Sequence, residues 1–166
     1  MTEPEPAQPD DRSEHWLVHL LWATSARTSM LGEAALAGSP LSFPGLGLLE
    51  NVNAHPGIAI AEISRRSPQT QQALSQIAAR LEKLGFIERR VEGGRGIGLY
   101  LTEDGARARA RAHEAAEAFE ASLVTALGAK RHQRLVQLLE EAEPVIRELE
   151  PQRRPPVPGT RAPSAE

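Results

Sequence analysis

Gln71, Gln72, Ser75 and Gln76 share one side of a helical repeat, and Arg80 follows one turn later. A glutamine carboxamide both donates and accepts, so it can bond bidentately to the edge of adenine, and a serine hydroxyl can meet either kind of base edge. An ordinary solvated helix face would have the same composition. The neighbourhood favours contact with a nucleic acid. Residues 58–97 carry Arg65, Arg66, Arg80, Lys83, Arg89, Arg90 and Arg95 against only Glu62, Glu82, Glu88 and Glu92, whereas residues 1–14 hold five acids and one arginine. The net charge of −3 over 166 residues neither requires nor forbids a polyanion, because the distribution of charge matters more than its sum.

Arginines in such a block serve as backbone anchors more readily than as base readers, since phosphate contacts position a protein without naming a base. Arg65, Arg66, Arg89 and Arg90 fit that role. Successive strand residues point to opposite faces, so only one of Arg89 and Arg90 can face a given surface; Arg89 is taken as the contact. Thr70 stands where it can cap the helix, bind a phosphate, or do both. Arg80 either meets a phosphate or pairs with an acid such as Glu62. Elsewhere, His15, His19 and Trp22 fall at i, i+4 and i+7 on one helical face. They suit a ligand pocket, plain dimer or core packing, or a metal pair with His113 or His132. Without a third ligand at defined spacing the metal role is weak, and no metal is expected. Arg27 on the same helix either neutralises an anionic ligand or is a surface arginine.

The elements that must hold these residues can be placed from pattern. Residues 1–11 are polar and acidic, and are expected to be flexible. A helix is expected over Arg12 to Ala37, broken near Gly38-Ser39-Pro40, and a second over Ser42 to Ala54, with Pro44 in its first turn and His55-Pro56-Gly57 ending it. Ile58 to Arg66 predicts a short helix with Ile60 and Ile63 inward, and Ser67 to Thr70 a turn, with Ser67-Pro68 as an alternative, earlier start for the next helix. In the helix that follows, Leu74, Ile77, Ala78, Leu81 and Leu84 predict one buried stripe, and Gly85 ends it. Phe86 to Val91 and Ile97 to Leu101 predict two strands joined by Glu92-Gly93-Gly94-Arg95-Gly96, a glycine-rich tip with one arginine at its end. Glu103 to Leu127 and Lys130 to Leu149 predict two further helices separated at Gly128, with Pro144 bending the last. From Pro151 onward six of sixteen residues are proline or glycine, so disorder is expected.

The terminal helices are long for so small a middle block, and their apolar residues exceed what that block can cover. A two-fold dimer is the expected remedy, placing two reading helices on one face about one DNA turn apart. The resulting organisation is a flexible segment (1–11), an N-terminal dimerisation helix (12–41), a DNA-binding module (42–101), C-terminal dimerisation helices (102–150) and a tail (151–166).

The chain has no cysteine, which excludes disulfides and thiolate zinc sites. It shows no apolar run long enough to span a bilayer, and its acidic start is unlike a signal peptide, so a cytoplasmic location is expected. There is no Gly-x-Ser-x-Gly elbow, phosphate-binding lysine loop or His-Glu-x-x-His site, and neither enzymatic activity nor a cofactor is expected.

The run Ser75-Gln76-Ile77-Ala78-Ala79-Arg80-Leu81-Glu82-Lys83-Leu84-Gly85-Phe86-Ile87-Glu88-Arg89 resembles the reading helix and following signature of the MarR family of winged helix-turn-helix regulators. Leu101-Thr102-Glu103-Asp104-Gly105 is similar to the family's Leu-Thr-x-x-Gly, and Leu48-Leu49 through His55-Pro56-Gly57 to the segment before its first DNA-associated helix. The resemblance extends over roughly Leu17 to Leu149. It implies a mainly α fold with a small two-stranded β wing, a homodimer on a pseudo-palindromic operator, and a repressor released by a small aromatic or phenolic effector seated near His19, Trp22 and Arg27. It also implies that Arg95 enters the minor groove. The family commonly carries Asp-x-Arg in the wing, and here Gly93 stands where that aspartate would be, which leaves Arg95 less preorganised. The alternative is a winged-helix protein-interaction module without specific DNA binding, with the terminal helices as its docking platform.

Overall fold

The structure, a computed structural model, describes residues 16–92 and 96–149. In chain order the elements are α1 (Leu17–Ala35), α2 (Phe43–Ala54), α3 (Ile60–Arg66), α4 (Gln71–Lys83), β1 (Ile87–Glu92), β2 (Gly96–Leu101), α5 (Glu103–Leu127) and α6 (Ala129–Glu148). This is a winged helix-turn-helix, mostly helical, with one small antiparallel sheet between helices. The chain divides into two units, Met1–Glu120 and Ala121–Glu166, with the division inside α5. The expected flexible start, His15, Arg95 of the expected wing tip and the proline-rich tail lie outside the described residues.

Capping chemistry sets the helix starts. The Ser42 hydroxyl accepts from Gly45 N–H at 3.2 Å, and Pro44 occupies the first turn of α2, where its missing N–H costs nothing. Glu33, near the end of α1, accepts from Phe43 N–H at 2.9 Å and so closes another free donor of α2. Thr70 caps α4 by accepting from Ala73 N–H at 3.1 Å. Along α4 the residues Leu74, Ala78 and Leu81 are buried and Ile77 is partly buried. Leu84, expected to complete that stripe, is 41% exposed. It sits at the C-cap, past the last regular turn, where Gly85 (φ +74°) turns the chain away.

The two strands pair from Ile87↔Leu101 to Glu92↔Gly96. The ladder thus reaches further than expected, to Glu92 and Gly96. Ile58 does not open a helix. It bridges to Leu99 in β2, with Gly57 N–H donating to Leu99 O at 2.8 Å and Leu99 N–H to Ile58 O at 3.1 Å, and α3 therefore starts at Ile60. The Leu-Thr-x-x-Gly run has a plain physical role. Thr102 Oγ1 donates to Gly85 O at 2.6 Å and accepts from Gly105 N–H at 3.0 Å, while Thr102 N–H donates to Phe86 O. A Cβ on residue 105 would lie 1.8 Å from Phe86 O, so only glycine lets α5 start this close to β1.

The core collects Leu36, Leu41, the inner faces of α2, α3 and α4, Ile87 and Leu99 of the sheet, and Ala108 and Ala112 of α5. The terminal helices differ. Gly32 is the only buried residue of α1, and α6 has none. Trp16, Leu17, Val18 and Trp22 stand exposed at one end of α1, as do Leu135, Leu138, Leu139 and Ile146 along α6. Gly128 (φ +79°) separates α5 from α6, and α6 continues as one helix through Pro144.

Candidate nucleic-acid interface

α4 buries its apolar stripe, which turns the opposite side outward. Gln71, Gln72 and Gln76 are exposed there, Ser75 is half-buried, and none of the three carboxamides is held by another side chain among the described residues. The Ser75 hydroxyl donates back to Gln71 O at 2.7 Å, which leaves its lone pairs for an incoming donor. The exposed Thr70 sits at the helix N-terminus, where free backbone N–H groups and the helix dipole favour an anion.

The basic block is less positive than its sequence. Arg66 pairs with Glu62 at 2.8 Å along α3, Arg89 pairs with Glu82 at 2.9 Å, and Arg90 pairs with Glu88. The Arg90 guanidinium also lies 4.4 Å over the Tyr100 ring. Strand alternation separates the two arginines as expected. Arg89 shares the face of Ile87 and Leu99 and reaches the end of α4, while Arg90 shares the face of Glu88 and Tyr100. Three exposed cations, Arg65, Arg80 and Lys83, have no acidic partner among the described residues. Glu62 is taken by Arg66, so the pairing considered for Arg80 is not made. Arg80 instead borders a cavity of about 200 Å³ with Gln76, Ile77, Pro40 and Ser42. Where the hairpin outruns the core, Val91 is 84% exposed opposite Ile97.

Of the residues expected to meet an effector, His19 and Trp22 come together, with ring centroids 6.0 Å apart and planes tilted by 43°. Both are exposed, as is Arg27, and none of them lines a described cavity. A cavity of about 370 Å³ lies instead between the end of α1 and α5, bordered by Leu36, Ser39, Pro40, Ala108, Arg111 and Ala115. Arg111 is its one charged side chain. Among the described residues no three His, Asp or Glu side chains are grouped to hold a metal ion, and no helix is long and apolar enough to cross a membrane.

One cluster escaped the sequence entirely. Arg109 of α5 donates to both carboxylate oxygens of Glu50 on α2 at 3.0 Å, and His113 Nδ1 lies 3.0 Å from the same carboxylate. Nothing in local periodicity joins residues 59 positions apart. At the surface start of α5, Arg107 is held above the ordinary arginine value by its hydrogen bond to Asp104 and the nearby carboxylates.

Comparison with known proteins agrees with this geometry. A family model described as MarR family matches residues 39–96. The Mycobacterium tuberculosis MarR family protein Rv2887 in complex with DNA superimposes with a TM-score of 0.63 at 26% identity, over 76% of this chain and 97% of that one. The same protein in complex with p-aminosalicylic acid gives 0.64 at 26%, over 77% and 98%. CouR, a transcriptional repressor bound to a 23-mer DNA duplex, gives 0.76 at 21%, over 82% and 99%, a likeness of fold. No curated protein matches the chain.

Proposed function

We propose, from the MarR family match over residues 39–96 and the likeness to MarR family structures at 26% identity, that the chain is a dimeric, sequence-specific DNA-binding regulator of that family, a repressor that a small aromatic or phenolic effector releases. The observation that carries this proposal is α4. It is capped by Thr70, anchored by its buried stripe, and exposes Gln71, Gln72 and Gln76 beside the unpaired Arg65 and Arg80. In this account Gln71, Gln72, Ser75 and Gln76 enter the major groove, where carboxamides pair with adenine edges. Arg65, Thr70 and Arg80 take phosphates. Arg89 joins them by exchanging Glu82 for a phosphate oxygen, and Arg95 approaches the flanking minor groove.

Two copies are needed because α1 and α6 expose apolar surface that the described chain leaves open. A second copy covering them would carry two reading helices onto successive major grooves of a pseudo-palindromic operator. Rv2887 forms complexes with both DNA and p-aminosalicylic acid, which supports an aromatic acid as the effector class. His19, Trp22 and Arg27 would line its pocket once a partner chain covers α1. The cavity beside Arg111 is a site available within one chain. An effector that alters the angle or spacing of the two modules would release DNA, because half-site separation is a geometric requirement.

The pairing of Arg66, Arg89 and Arg90 with acids favours a second role, a winged module that binds protein in place of DNA. One experiment separates the two. The purified protein selects from a random duplex library, and the enriched site is titrated by fluorescence anisotropy at several salt concentrations. Enrichment of a two-fold site, with affinity falling steeply as salt rises, is expected of the regulator. No enrichment, with feeble binding even at low salt, would leave the protein-interaction role.

A further inference from the structure

The contact between α5 and the winged module is built from two unlike materials. Gly105, Ala108 and Ala112 of α5 are buried against the module, and such small side chains pack without directional preference. Glu50, Arg109 and His113 supply the direction. The Arg109 Nη1 group is shared between both Glu50 oxygens at 3.0 Å, His113 Nδ1 stands 3.0 Å from Oε1, and His113 Nε2 lies 3.4 Å from Glu117 Oε1. With side chains 23% and 33% exposed, Arg109 and Glu50 form the most enclosed ion pair among the described residues. Arg109 Nε is buried with no hydrogen-bond partner. A guanidinium desolvated on one side and gripped on the other is a poor device for stability, but it fixes a geometry.

We infer that Glu50 is a positioning residue for operator recognition. Held by Arg109 and His113, it latches α2 at one angle to the first half of α5. α2 packs on α4 through the common core of Leu46, Leu49, Leu74 and Leu81, so the latch also sets the angle of the reading helix. This inference rests on the regulator function proposed above. Two half-sites demand a fixed presentation of α4, whereas non-specific binding demands only charge.

The test uses the full chain with Glu50→Gln, Arg109→Gln and the double variant, read in two ways. Urea denaturation of the four proteins gives a double-mutant cycle. Anisotropy gives the ratio of affinities for the selected operator and for a shuffled duplex of equal length. Charge alone moves the two single variants in opposite directions on any DNA, since one removes an acid and the other a base. The latch requires the operator-to-shuffled ratio to fall at least fivefold in both, with the double variant no worse than the poorer single one and strongly non-additive in urea. An additive cycle would show that no latch exists. A coupled cycle with an unchanged ratio would make the pair merely structural. Either result overturns the inference while wild type still binds its operator. A wild type that enriches no site brings down the proposed function itself, and the positioning role with it.

Discussion

α4 and α6 are both amphipathic in sequence, yet Leu74, Ala78 and Leu81 of α4 are at most 2% exposed while α6 buries no residue. The winged module closes its own core, with Leu36 and Leu41 from the turn after α1 and Ala108 and Ala112 from α5 completing it. α1 and α6 carry apolar side chains with nothing described to cover them. The proposed reading surface and the proposed assembly surface are therefore separable, and a substitution in one should leave the other's property intact.

The largest effect should come from damage to the closed core. Leu49→Ala removes a side chain with no exposed surface, and a loss of about 2–5 kcal/mol in urea denaturation is expected. A loss below about 1 kcal/mol would mean the core is looser than its burial. Next comes Leu138→Glu on α6, which should convert dimer to monomer in sedimentation while the module stays folded. Operator affinity should then fall on the order of a hundredfold as the second half-site is lost. Loss of folding together with assembly would erase the contrast between the two regions.

Smaller effects sharpen the reading surface. Gln76→Ala should cost about 1–3 kcal/mol of operator affinity and relax preference at one base position, with stability held within about 0.5 kcal/mol. Equal losses on operator and shuffled DNA would remove Gln76 from base contact. Arg65→Ala should weaken all duplexes alike and reduce the salt slope by about one; an unchanged slope would take it off the phosphates. The smallest change is Thr70→Ala, which should cost about 1 kcal/mol of stability through the lost cap. A full cap loss with unchanged DNA affinity would assign Thr70 to structure alone.

Local chemistry was legible in the sequence. The cap at Thr70, the stops at Gly85 and Gly128, Pro44 in the first turn of α2, and the hairpin all emerge from rules that act over a few residues. What the sequence hid depends on distance in space. Glu33 capping α2, Ile58 bridging to Leu99, and Glu50 meeting Arg109 each join segments that no periodicity connects. The basic block misled for the same reason, since Arg89 finds Glu82 only after β1 folds back beside α4. Leu84 fitted the helical stripe by spacing, but the helix ended before that spacing could bury it.

The stoichiometry of the protein on its selected operator tests the central claim most directly. Sedimentation velocity with a labelled duplex should show two chains on each two-fold site, and one chain on neither a full nor a half site at comparable concentration. A single chain bound to the full site with undiminished affinity would contradict the dimeric account, because α1 and α6 would then have no part in reading DNA.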